Sequence, residues 1–154
     1  MLERIERRLE EARGMVIEVG YSPEDLAATE FHDYLTGETL SGDRIDLDDV
    51  LESDCLMIHE VVEISELKRG GVRIDRETVV NLGQSDQMYQ AHLKAIECEV
   101  EFALRQGNLP WIRARADDVR SWLEHKCLNK EMAGAYARLL QRLERHVSFG
   151  QVPA

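Results

Sequence analysis

The chain has 154 residues, of which 44% are hydrophobic and 32% charged, and its net charge is −11. This length and apolar content suit a single domain with a hydrophobic core and exclude global disorder. No apolar run reaches the roughly 18–20 residues needed to cross a bilayer. The N-terminus is charged and does not resemble a signal peptide. We therefore expect a cytoplasmic protein that does not span a membrane.

The charges are unevenly distributed along the chain. Residues 14–104 carry 21 acidic and 6 basic side chains, a net of −15, whereas residues 105–154 carry 9 basic and 5 acidic side chains, a net of +4. The acidic part argues against nucleic-acid binding, which requires a basic surface. Opposite charges on the two parts favour contacts within one chain or between copies, so a homo-oligomer is one expected state.

The cysteine pattern excludes two kinds of site. The three cysteines, Cys55, Cys98 and Cys127, are widely spaced and form no Cys-x-x-Cys pair. Thiolate zinc sites and redox dithiols are therefore not supported. Because Cys55 and Cys98 lie on apolar helical segments, we expect both to be small buried hydrophobic residues.

Apolar residues at helical spacing, with start and stop signals between them, predict an all-α chain. No segment alternates as a strand would, and no repeat is present. The fold class is a single compact all-α domain over residues 1–154, with five long helices plus a short one and a frayed tail at 148–154. The predicted helical segments comprise five long ones (2–19, 46–70, 86–105, 110 to a break near 128, and 130–147), the short one at 75–82, and a further segment of intermediate length at 23–35.

The segment from Asp46 to Gly70 is the predicted centre of the bundle, because it is apolar on more than one side. Seven of the ten residues 55–64 are apolar, yet this run also contains His59, Glu60 and Glu63. Burying such groups costs free energy unless they are paired, hydrogen-bonded or bound to a metal. His59 and Glu63 share one stripe of the helix, whereas Glu60 points about 100° away.

The second long helix, 86–105, carries matching groups. His92 and Glu99 are seven residues apart and share one face. If the two helices pack antiparallel, His59, Glu63, His92 and Glu99 converge on one divalent ion. Histidine and carboxylate ligands suit zinc, iron, nickel or manganese. The same four groups form a hydrogen-bonded polar layer if no metal binds, and the sequence leaves both outcomes open.

Two known catalytic patterns resemble the central helix only in part. The segment from His59 to Glu63 is similar to the zinc-protease motif His-Glu-x-x-His, but Glu63 stands where the second histidine is required, which excludes that site. Glu60-x-x-Glu63 resembles the first half of the acidic motif of all-α nucleotide pyrophosphohydrolases. That resemblance implies magnesium between two helices. The family's second helix carries Glu-x-x-Asp, whereas residues 97–101 here read Glu-x-Glu-x-Glu, so half of the motif is missing.

Two longer segments, Glu30 to Glu38 and His59 to Lys68, resemble parts of small uncharacterised all-α archaeal proteins. The resemblance implies an all-α fold and brings no activity with it.

Two functional hypotheses follow. The first is a helical protein with a His/Glu site that binds a divalent metal and hydrolyses a small phosphate ester or anhydride. In that hypothesis His59, Glu63, His92 and Glu99 are ligands, and Glu60 orients the attacking water. The second is a non-enzymatic module that assembles with itself or a partner through amphipathic helices, with an apolar interface formed by Trp111 and Trp122.

Overall fold

The computed structural model describes residues 1–39, 46–125 and 128–150. For residues 149 and 150 it describes the backbone alone. Helices account for 78% of the described residues, and no strand occurs among them. The predicted all-α class is therefore confirmed. The described helices are α1 (Leu2–Glu18), α2 (Ala28–Thr36), α3 (Leu47–Glu52), α4 (Asp54–Arg69), α5 (Thr78–Leu82), α6 (Asp86–Arg105), α7 (Leu109–His125) and α8 (Lys130–Gly150).

The chain divides into two compact units, Met1–Glu99 and Val100–Ala154, and the division falls within α6. Five helices have 16 to 21 residues, namely α1, α4, α6, α7 and α8. Of these, α1 and α4 lie entirely within the first unit. The other three helices are shorter. The single domain predicted from chain length stays a prediction.

The predicted helix from Asp46 to Gly70 is interrupted at Ser53. The Ser53 backbone is extended, with φ −113° and ψ 120°, and its Oγ accepts a hydrogen bond from the Leu56 N–H at 3.2 Å. This is an N-cap, which starts a new helix in place of continuing the old one. The central element is therefore α4 alone, preceded by the six-residue α3.

α4 is the core of the first unit. Eleven of its 16 residues are buried, including polar ones. It packs against α1 and α3, and α1 also packs against α2. Because α4 is covered on several sides, its polar side chains must find partners within the protein. Cys55 and Cys98 are both buried, as predicted, whereas Cys127 lies outside the described residues.

α2 begins at Ala28, five residues later than the Ser22-Pro23 signal predicts. The carboxylate of Glu30 caps α2 by accepting a hydrogen bond from the Ala27 N–H at 2.9 Å. Upstream of that cap, tertiary hydrogen bonds to α4 satisfy the backbone and replace a local helix start. These bonds are Arg69 to the Ser22 carbonyl, Lys68 to the Asp25 carbonyl, and the Glu24 N–H to Ser65 Oγ.

Glu30 connects this segment to α4 and predicts a pH dependence. Burial alone would raise the pKa of Glu30, but hydrogen bonds from Ala27 and Lys68 lower that pKa below its ordinary value. The ionised form therefore stabilises the folded state above the unfolded pKa, and this contribution disappears as pH falls through the folded pKa. We expect Glu30→Gln to cost about 0.5–1 kcal/mol at pH 7 and much less below pH 4.

Urea denaturation of both proteins across pH 3–7 measures this difference. Glu10→Gln, a change at an exposed carboxylate of α1, is the control. A stability difference between wild type and Glu30→Gln that is the same at pH 3 and pH 7 would contradict the expectation.

In the second unit, α7 and α8 pack against each other. Ile112, Val119 and Leu143 are fully buried. An ion pair between Arg120 and Glu144, at 3.0 Å, joins the two helices at the surface. α8 continues to Gly150, three residues past the predicted end at 147, and residues 151–154 of the predicted tail lie outside the described part of the chain.

The predicted loop from Gly37 to Arg44 is described only as far as residue 39, and the rest of it lies outside the described residues. Among the helices that the structure describes, none is long and apolar enough to cross a membrane.

Candidate metal centre

Four side chains from α4 and α6 meet in the interior of the first unit. His59 lies against Glu99, and Glu63, one turn further along α4, lies against His92, which is earlier in α6. This crossed pairing means that α4 and α6 run antiparallel there, as the sequence requires for convergence. We call His59, Glu63, His92 and Glu99 the His/Glu cluster.

Three members of the cluster present ligand atoms to one another. His59 Nε2 lies 3.9 Å from Glu63 Oε1, and His92 Nδ1 lies 3.3 Å from the same oxygen. The two imidazole rings are edge-on, with centroids 4.9 Å apart. One ligand atom from each of the three residues lies within 4.8 Å of the others.

Glu99 lies on the opposite side of the His59 ring from Glu63. His59 Nδ1 and Glu99 Oε1 are 2.6 Å apart, and the Glu99 side chain is fully buried. A carboxylate accepts only, so Nδ1 carries the proton of this hydrogen bond. Nε2 therefore faces Glu63 and His92. A carboxylate on the far nitrogen is the usual way in which a protein orients a metal-binding histidine.

Glu63 is held by a fifth residue, which no sequence motif indicated. The Tyr34 hydroxyl, from α2, donates to Glu63 Oε2 at 3.0 Å. Tyr34 belongs to a Phe-His-Asp-Tyr segment in which both aromatic residues are buried. The periodicity of that segment indicates packing alone, so only the tertiary contact reveals the polar role of the hydroxyl.

Without a metal, the cluster forms a charged network. Burial lowers the pKa of His59, but the hydrogen bond and charge of Glu99, with the charges of Glu63 and Glu60, raise that pKa to about 9. Burial raises the pKa of Glu63, but the hydrogen bond from His92, the charges of the two histidines and the bond from Tyr34 lower it to about 2. Imidazolium and carboxylates then satisfy one another.

The distances also fit a cation. Tetrahedral ligands about 2.0–2.2 Å from a metal are separated by roughly 3.3–3.6 Å. The 3.3 Å between His92 Nδ1 and Glu63 Oε1 already lies in this range. The 3.9 Å between His59 Nε2 and Glu63 Oε1 must shorten by a few tenths of an ångström. Two histidines and one carboxylate are a ligand set that zinc and iron sites use.

Glu60, the predicted water-orienting residue, lies beside the cluster and not within it. It is 2% exposed. Its charge contributes to the raised pKa values of both His59 and Tyr34, which shows that it is near both side chains. Its catalytic role stays a prediction.

Access to the cluster is on its α6 side, where the His92 side chain is 27% exposed. A surface groove of about 360 Å³ in the same unit is lined by α1, residues 23–26 and Val61. Val61 is two residues from both His59 and Glu63, so it points to the opposite side of α4. That groove is therefore not a substrate pocket for the cluster.

The tryptophans of the rival hypothesis contact their own unit. The Arg115 guanidinium lies 5.5 Å from the centroid of the Trp111 ring, and Trp122 meets Tyr136 edge-on at 6.3 Å. Among the described residues, the exposed large apolar side chains are instead at the surface of α1, namely Met1, Leu2 and Ile17. Assembly through the tryptophans stays a prediction.

Comparisons with protein families, curated proteins and solved structures found no match to this chain. Its function must therefore be inferred from the geometry of the cluster.

Proposed function

We propose that this protein binds one divalent transition-metal ion through His59, Glu63 and His92. The observation that supports the proposal most directly is the position of Glu99. By engaging Nδ1 of His59, Glu99 leaves Nε2 facing the oxygen of Glu63 that also meets His92. In this proposal Glu99 orients a ligand, and its predicted role as a fourth ligand becomes the less favoured one.

The carboxylates around the site require positive charge, and either protons on the histidines or a divalent ion supplies it. Glu60, Glu63 and Glu99 are each at most 7% exposed. With all three carboxylates ionised, protonation of both histidines still leaves one negative charge. Buried charge without full compensation is strongly unfavourable. A divalent ion bound to neutral imidazoles supplies the same two positive charges at the centre of these groups, so the metal replaces the protons of the histidines without changing the net charge of the site.

Elemental analysis of the purified chain tests the proposal. After removal of metals with a chelator, incubation with zinc, iron, manganese, nickel or cobalt and gel filtration, we expect one ion per chain for at least one metal. His92→Ala removes a partly exposed ligand with little risk to folding. We expect it to weaken metal binding by more than about 100-fold, because loss of a residue that only hydrogen-bonds to a ligand already weakens binding by about 10–100-fold.

His125→Ala is the matched control, because His125 is exposed on α7 and its Nδ1 lies 2.9 Å from the Ser121 carbonyl oxygen of its own helix. It should bind metal as wild type does. Wild-type protein without metal, or a His92→Ala protein with an unchanged metal content, would contradict the proposal.

For the reaction, we propose hydrolysis of a small phosphate ester or anhydride in the cytoplasm. A bound divalent cation lowers the pKa of a coordinated water and stabilises developing charge on phosphoryl oxygens. The partial exposure of His92 supports access for a small molecule on that side. The acidic net charge of −11 favours a substrate other than nucleic acid. Glu60 is the residue that we propose to orient water.

A screen of phosphorylated compounds with metal-loaded protein tests this second step. Activity that requires the metal and falls in Glu60→Gln supports both assignments. If metal binds and no compound is hydrolysed, the metal site stands and the hydrolase proposal fails. The non-enzymatic alternative then predicts self-association, which sedimentation velocity measures.

A further inference from the structure

We infer that Tyr34 makes Glu63 a one-oxygen ligand, and that the site therefore selects Zn²⁺ and Co²⁺ over the hard cations Mg²⁺ and Ca²⁺. This inference rests on the proposed metal-binding function and specifies the class of ion. It also assigns a positioning role to a residue of α2, outside the two helices that carry the ligands.

The two oxygens of Glu63 have different partners. Oε2 accepts the hydrogen bond of the Tyr34 hydroxyl at 3.0 Å. Oε1 faces the two histidines, at 3.3 Å from His92 Nδ1 and 3.9 Å from His59 Nε2. A cation between the imidazoles therefore meets Oε1, while Oε2 stays with the phenol. Bidentate coordination would break the bond to Tyr34.

Tyr34 is not free to release that oxygen. Its side chain is buried, and its hydroxyl otherwise lies 4.0 Å from Met88 Sδ, which is only a weak acceptor. A phenol turned away from Glu63 would lose its strong partner inside the protein, where an unpaired polar group is costly. The hydrogen bond therefore holds the carboxylate in a fixed orientation.

The resulting donor set discriminates between classes of ion. His59 Nε2, His92 and Glu63 Oε1 give two nitrogens and one oxygen, with one position open on the exposed His92 side. Zn²⁺ accepts such a set in tetrahedral geometry. Ca²⁺ requires six to eight oxygens, often with bidentate carboxylates, and Mg²⁺ requires near-octahedral oxygen coordination. A single carboxylate oxygen beside two imidazoles meets neither requirement.

The chain contains a matched control for the tyrosine. The Tyr21 hydroxyl donates to Glu66 Oε2 at 2.8 Å, which is the same kind of bond to the same helix, three residues beyond Glu63. Glu66 does not belong to the His/Glu cluster. Tyr21→Phe therefore removes a tyrosine–glutamate hydrogen bond from α4 without touching the ligands, whereas Tyr34→Phe removes the one that holds Glu63.

The experiment uses Co²⁺ as a spectroscopic probe and measures Zn²⁺ affinity in competition with Mg²⁺ or Ca²⁺. We expect wild type and Tyr21→Phe to show the strong visible absorption of four-coordinate Co²⁺ and a Zn²⁺ affinity unaffected by millimolar Mg²⁺ or Ca²⁺. In Tyr34→Phe the carboxylate can turn. The Co²⁺ spectrum should then weaken and shift towards higher coordination, and Zn²⁺ affinity should fall by about 10–100-fold.

The outcomes separate the two proposals. Wild type that binds no metal overturns the metal-binding function and, with it, this inference. Wild type that binds Zn²⁺ while Tyr34→Phe keeps the same Co²⁺ spectrum and affinity overturns only the role of Tyr34. If Tyr34→Phe does not fold, competition between Zn²⁺ and Mg²⁺ or Ca²⁺ in the wild type still tests the selectivity. Tight binding of Mg²⁺ or Ca²⁺ at the cluster would overturn the inference.

Discussion

Replacement of Glu99 by alanine is expected to lower the free energy of unfolding by about 3–5 kcal/mol in the metal-free protein. Glu99 is fully buried and its carboxylate lies 2.6 Å from His59 Nδ1. Removal of one partner from a buried, hydrogen-bonded charge pair leaves the other uncompensated, which is the origin of this large cost. Small domains are stable by about 5–15 kcal/mol in total, so the variant should be close to unfolding at 37 °C.

Two further variants separate the charge from the shape of the side chain. Glu99→Gln keeps an oxygen that can accept from Nδ1–H, so we expect a loss of only about 1–2 kcal/mol. Glu97→Ala removes a half-exposed carboxylate of the same helix and should change stability by less than about 0.5 kcal/mol. Urea denaturation monitored by circular dichroism measures all three. Equal losses in the alanine and glutamine variants would show that the hydrogen bond does not account for the effect.

The second large effect is expected from the metal. An ion that binds only the folded state at a free concentration of about 1,000 times its Kd stabilises the protein by about 4 kcal/mol. For a chain of this size, each kcal/mol corresponds to a Tm increase of roughly 2–4 °C. We therefore expect Zn²⁺ to raise the Tm by roughly 8–16 °C, and a chelator to reverse the increase.

Variants test where that stabilisation originates. His92→Ala should melt near the metal-free wild type, and Zn²⁺ should raise its Tm by no more than roughly 3–6 °C, because only two ligands remain and binding is weakened by more than about 100-fold. His125→Ala, on the surface of α7, should keep the full increase. An equal Tm increase in His92→Ala would place the metal elsewhere. No increase in the wild type would leave the charged network of His59, Glu63 and Glu99 as a structural polar layer without a metal.

The two measurements therefore distinguish the two states that the cluster supports. In the metal-free network, the His59 pKa of about 9 favours an imidazolium between two carboxylates. In the metal-bound state, the same imidazole must be neutral and offer Nε2 as a ligand. Glu99 stabilises both states, since it binds Nδ1 in each. His92 and Tyr34 matter most in the second.

Features whose causes lie within a few residues along the chain could be predicted from the amino-acid sequence. The range of α6, residues 86–105, was predicted at both ends. Ser85 accepts from the Met88 N–H, and Gly107 has a positive φ of 67° beyond the last turn. The i, i+4 spacing of His59 and Glu63, and the seven-residue spacing of His92 and Glu99, likewise placed each pair on one helix face. The convergence of the four groups followed once antiparallel packing was assumed.

Features that depend on contacts between distant residues could not be predicted in this way and emerge only in the folded chain. α4 side chains bind the backbone of residues 22–25, and this delays α2 to Ala28 although a local start signal exists at Ser22. Helix periodicity places a residue on a face, but it does not determine which ring nitrogen meets which carboxylate. Glu99 lies on the Nδ1 side of His59 and Glu63 on the Nε2 side, an arrangement that depends on how α4 and α6 pack together. Tyr34 reaches Glu63 from a third helix, and no spacing within 154 residues encodes that contact.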